Sequence, residues 1–119
     1  MSLKERIKEH WLIALWNKVS KEIIRVLKEY NVKDIRKYAE QDYDLLEPIL
    51  NNYGEDVKYF KNELRKMGLR PTKEDLKKAT AYIIYFLRAN GYECDGVVIK
   101  WIYKNVRKIV EYVLGPISG

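Results

Sequence analysis

Residues 72–91 read TKEDLKKATAYIIYFLRANG, and this stretch decides the fold. Leu76, Ala79, Thr80, Ile83 and Leu87 recur at three- and four-residue steps, which places them on one side of an α-helix. Thr72 and Asp75 have the form of a capping box, with Asp in the usual place of Glu. Gly91 supplies the stop, because glycine adopts the left-handed conformation that ends a helix. Tyr82, Tyr85 and Phe86 flank the inner face.

Working outward, the same period continues in both directions. Downstream, Asp95 can cap a last helix from about Val97 to Leu114, ended by Gly115-Pro116. Val97-Val98-Ile99 has strand-forming residues, but the pattern running into Trp101 and Ile102 favours helix. Upstream, Val57, Phe60, Leu64 and Met67 predict a helix from about Glu55 to Met67, closed by Gly68. Before it, Asp42 or Asp44 can cap a short helix through Leu45, Leu46, Ile49 and Leu50. Pro48 fits only its first turn or a kink, and Gly54 ends it. Asn31 with Asp34 is read as the start of another short helix. The first helix runs from about Leu3 to Tyr30, with a break expected near Ser20. Its apolar stripe is widened by Leu12, Ile13 and Trp16, which implies two neighbours or an exposed apolar patch. The expected architecture is all-α, a compact bundle of about five helices forming a single domain over residues 1–119.

Charge is unevenly spread. Between Tyr38 and Val57 lie six carboxylates (Glu40, Asp42, Asp44, Glu47, Glu55, Asp56) and no Lys or Arg. The chain totals +6, so with six negative charges in this segment the remainder carries +12. Such an excess draws anions and speeds their encounter, which points to a polyanion partner. Apolar residues are 47% of the chain and charged residues 34%, a balance that excludes both a disordered tail and a membrane protein. No apolar run approaches the roughly 20 residues needed to cross a bilayer. A single cysteine, Cys94, and no signal-peptide pattern suit a cytoplasmic location.

Catalytic chemistry has little to stand on. His10 is the only histidine, without a neighbouring metal ligand or triad partner. Cys94 lies between Glu93 and Asp95, whose charges raise a thiol pKa. An EF-hand reading from Asp42 fails, because its twelfth position is Tyr53 rather than Glu. No glycine-rich phosphate loop exists. Neither catalytic nor metal-ligating residues are assigned, no tightly bound cofactor is expected, and enzymatic activity of the chain by itself has no motif behind it.

Cations carry the functional reading. Lys100, Lys104, Arg107 and Lys108 fall at i, i+4, i+7 and i+8 on one side of the last helix, with Trp101 and Tyr103 interleaved. Cations neutralise phosphates and aromatic faces stack on unpaired bases. With Arg88 these six residues form the candidate nucleic-acid set, although the core is the favoured place for Trp101. Lys18, Lys21, Arg25 and Lys28 form another stripe, read as a solvated face with surface pairs to Glu22 and Glu29. Arg36, Lys37, Lys61, Arg65 and Tyr85 are candidates for a looser nucleotide site, with ATP as the ligand.

The segment from Lys77 to Tyr92, followed by the helix with Trp101 and Tyr103, resembles the helix-bundle domain that follows the catalytic domain in archaeal plasmid replication primases. The resemblance covers about a third of the chain. It implies an accessory role in binding single-stranded DNA template and nucleotide during primer initiation, with a catalytic primase domain as partner. The competing expectation is a structural or protein-interaction bundle, such as a viral or plasmid assembly protein.

Overall fold

Five helices follow one another as α1 (Leu3–Glu29), α2 (Arg36–Glu40), α3 (Leu46–Lys66), α4 (Lys73–Ala89) and α5 (Gly96–Leu114). The structure is a computed structural model that describes residues 2–117, and among these residues there is no strand. The all-α bundle expected from the periodicity is the one observed.

The four long helices form a closed ring of contacts, α1–α3–α5–α4, and α2 packs on α5. α1 and α5 lie across one diagonal, and α3 and α4 across the other. Side-chain pairs fix the directions. Trp11 meets Phe60 near one end of the α1–α3 contact, and Glu22 meets Asn52 near the other, so these helices run antiparallel. Lys8–Asp75 and Asn17–Tyr82 set α1 and α4 parallel. Leu15, Leu27, Leu64, Leu76, Leu87 and Ile102 are among the side chains fully withdrawn from water at the centre. Each such burial is worth roughly 1.5–3 kcal/mol.

Local chemistry explains most boundaries. The Thr72–Asp75 capping box forms in both directions, and Asp95 accepts from the Val98 amide at the start of α5. Gly68, Gly91 and Gly115 have φ of +67°, +89° and +94°. At Gly91 this left-handed turn reverses the chain between α4 and α5, a conformation other residues enter only with strain.

Three expectations are corrected. α1 does not break at Ser20: it is continuous over 27 residues, because Ser20 is buried between Val19 and Ile23 in the packed stripe. Asn31 does not cap α2. It has φ +51° and lies just past the end of α1, a left-handed position that asparagine tolerates. The boundary expected at Gly54 falls one residue earlier: two helical segments of α3 meet at a kink at Tyr53 (φ −130°, ψ 25°), with no loop between them. Two side chains of α1 hold that bend. The Lys18 ammonium lies 5.4 Å from the Tyr53 ring centre, and Glu22 accepts a hydrogen bond from Asn52 at 2.7 Å.

Candidate nucleic-acid interface

Lys100, Lys104 and Lys108 are exposed along the outer face of α5, one helical turn apart. The acidic segment folds onto this stripe. Asp42 pairs with Lys104, and Asp44 with Lys108 at 3.5 Å. Lys104 holds the Asp42 carboxyl below the usual aspartate range, chiefly through its hydrogen bond. Lys100 makes no ion pair among the described residues, and Arg107 pairs with Glu111 one turn on.

The loop is positioned by buried groups of α5. Trp101 donates from Nε1 to the Tyr43 carbonyl at 2.8 Å. Asn105, only 1% exposed, accepts from the Leu45 amide at 2.8 Å and donates to the Trp101 and Tyr43 carbonyls. The contacts to Tyr43 and Leu45 bridge about 60 residues of sequence. Asp44 then accepts from the amides of Leu46 and Glu47 and caps α3. Of the two aspartates the sequence offered for this cap, Asp44 takes it, while Asp42 adopts φ +54° and faces Lys104.

Trp101 is therefore corrected as a nucleic-acid residue. Its side chain is 4% exposed and its N–H is spent on the loop, so it has no face for a base. Tyr103 is partly exposed and packs against the core. Arg88 lies away from the stripe, donating to the Cys94 carbonyl in the α4–α5 turn.

The residues assigned to a nucleotide do not form one site. Arg36 pairs with Glu40 and Asp95 near the start of α5. Lys37 borders a separate depression beside Tyr30 and Gln41. Tyr85 lies on the α1–α4 side of the bundle. Lys61 and Arg65 are elsewhere again, against the C-terminal end of α5. The Lys61 ammonium lies 4.4 Å from the Tyr112 ring centre, and Arg65 donates to the Val113 carbonyl at 3.4 Å. A shared set would have to connect three sides of the bundle.

What the fold does join is α3 to α5. Lys58, Lys61 and Arg65 share one side of α3, at i, i+3 and i+7. Tyr112 lies one turn beyond Lys108 and two beyond Lys104. The Lys61–Tyr112 contact thus links the basic stripe of α3 to the C-terminal end of the α5 stripe. Tyr112 is not among the candidates the sequence offers, although its four-residue spacing from Lys108 is visible there. None of Lys58, Lys61 and Arg65 makes an ion pair among the described residues.

Other ionisable groups are structural. Glu22 is buried, not a surface partner as the α1 stripe suggested. Arg25 grips it with two hydrogen bonds, the principal cause holding its carboxyl below the usual glutamate range. Burial pushes the Cys94 thiol up, and the Asp95 charge adds to this while Arg88 opposes it, so the thiolate needed of a nucleophile is suppressed. No cluster of three or more His, Cys, Asp or Glu side chains able to hold a metal occurs among the described residues. None of the described helices is long and apolar enough to cross a membrane.

No protein-family model, curated protein or solved structure matches the chain.

Proposed function

We propose that this chain is a nucleic-acid-binding helical module that takes a single strand along the α3–α5 seam, as an accessory unit to replication priming. One observation carries the reading. The Lys61–Tyr112 contact places the unpaired cations of α3 beside the basic stripe of α5. Lys58, Lys61, Arg65, Lys104 and Lys108 supply phosphate contacts, and the 37% exposed Tyr112 ring offers a face for stacking. ATP enters this reading as a competitor, its triphosphate taken by Lys61 and Arg65. The primase assignment and a catalytic domain as partner rest on the resemblance of the Lys77–Tyr92 segment.

The test is a fluorescence anisotropy titration with labelled oligo-dT across a salt series. Lys58, Lys61 and Arg65 on the phosphates of a single strand give a slope of log K against log salt of roughly −2.1, at about −0.7 per contact, steepening to roughly −3.5 where Lys104 and Lys108 are freed from Asp42 and Asp44. Replacing Lys58, Lys61 and Lys108 by Gln should weaken binding and flatten the slope by about 1.4, the share of the two unpaired lysines. A salt-independent signal, or a slope unchanged in the triple variant, would overturn the reading. The interaction-bundle reading is favoured by a different face, the α1–α4 groove.

A further inference from the structure

Across the bundle from the α3–α5 seam, α1 and α4 run parallel and leave a groove of about 760 Å³ between their outer faces. Leu12, Trp16 and Tyr82 form its floor. Ile13 and Tyr85 stand on its two walls with 45% and 77% of their surface in water. Ala81, also exposed, lies one turn before Tyr85 and keeps the α4 wall low. The over-wide stripe of Leu12, Ile13 and Trp16 therefore divides: two side chains turn inward, and Ile13 stays in water.

The rim has the opposite charge to the rest of the molecule. Lys8 and Asp75 neutralise one another at 3.0 Å, both largely buried. Glu5, Glu9 and Glu74 border the groove without an ion pair among the described residues, and Lys78 is the one remaining cation of its lining. On a chain of net +6 this local excess of carboxylates repels nucleic acid and attracts a basic partner. The groove extends on α1 from Glu5 to Trp16, about 16 Å at the rise of an α-helix, or three turns.

We infer that the α1–α4 groove docks a basic amphipathic helix of a partner protein. Its apolar stripe would lie on Ile13 and Tyr85, with Lys or Arg flanks against Glu5, Glu9 and Glu74. A groove between two helices takes a third through side chains at i, i+3 or i+4 and i+7, and an unpaired acidic rim sets the sign of the flanks. The site is independent of the polyanion seam.

The test uses the full chain and two fluorescein-labelled 16-residue helical peptides, identical in their leucine stripe but with Lys or Glu at every flanking position. The Lys peptide should bind and shift the amide resonances of Ile13, Ala81 and Tyr85. The Glu peptide should bind at least tenfold more weakly. Ile13→Asp should abolish Lys-peptide binding while leaving oligo-dT binding unchanged. Glu9→Lys with Glu74→Lys, a surface change that spares the core, should weaken it tenfold or more. Equal binding of both peptides, or shifts confined to another face, would overturn the inference. So would sedimentation showing a dimer that Ile13→Asp dissolves, which would give the groove to a second copy of this chain.

Discussion

The indole N–H of Trp101 donates to the main-chain carbonyl of Tyr43 at 2.8 Å, tying the acidic loop to the middle of α5. The indole is buried while Tyr43 is half exposed, and losing the bond leaves the carbonyl with only the longer 3.4 Å donation from Asn105 among its protein partners. Trp101→Phe should cost about 2–3 kcal/mol, combining roughly 1 kcal/mol for the bond with a cavity term for the missing ring. A urea denaturation midpoint measures this. Amide exchange at Leu45, whose N–H is held by Asn105, should speed up more than exchange in the core of α4. Unchanged stability would show that the indole is packing rather than a clamp.

Glu22 gives the fold a pH dependence of known sign. Its folded pKa lies below the ordinary glutamate value of 4.5, mainly because Arg25 hydrogen-bonds its carboxylate. A depressed carboxyl pKa contributes stability that is fully present above the unfolded value and is lost as pH falls through the folded one. Arg25 is half exposed, so solvent screens the pair, and Glu22→Gln should cost about 1–2 kcal/mol at neutral pH. The difference between wild type and Glu22→Gln should therefore be constant above pH 6 and shrink below pH 4.5. Thermal unfolding of both proteins from pH 3 to 8 checks it. A difference that grows on acidification would contradict the assigned sign.

Much of this was legible in the sequence, for identifiable reasons. The inner face of α4, its capping box and the Gly91 stop are encoded within twenty residues, so neighbouring positions decide them. Asp95 at the start of α5 is equally local. Gly54 marks the bend in the sequence to within one residue, but the contacts that flank it at Tyr53 come from another helix, at Lys18 and Glu22. Glu22 reads as a surface group in the sequence because an i, i+3 pair with Arg25 is ordinary on a solvated face. Only the packing of α3 over α1 makes it buried. The basic stripe of α5 could be read from spacing, but its ion pairs with Asp42 and Asp44 join residues about 60 positions apart and carry no periodic signal. The Lys61–Tyr112 contact is tertiary in the same way.

Those two ion pairs yield the sharpest expectation for the polyanion seam. Asp42 and Asp44 cover two of its five cations, so a phosphate backbone must displace carboxylates to reach Lys104 and Lys108. Asn is the informative substitution at both positions. It tolerates the left-handed backbone at residue 42 and can still cap α3 from residue 44, so charge is removed with the loop geometry kept. Asp42→Asn with Asp44→Asn should tighten oligo-dT binding and steepen its salt slope by up to about 1.4, the share of two single-strand phosphate contacts. Glu5→Gln with Glu9→Gln removes the same charge from the opposite face and should leave the slope unchanged. Anisotropy titrations of both double variants across a salt series separate local unmasking from a general gain of positive charge. Equal effects would reduce the acidic loop to a contributor to net charge, and a specific steepening would make it the element that competes with the strand.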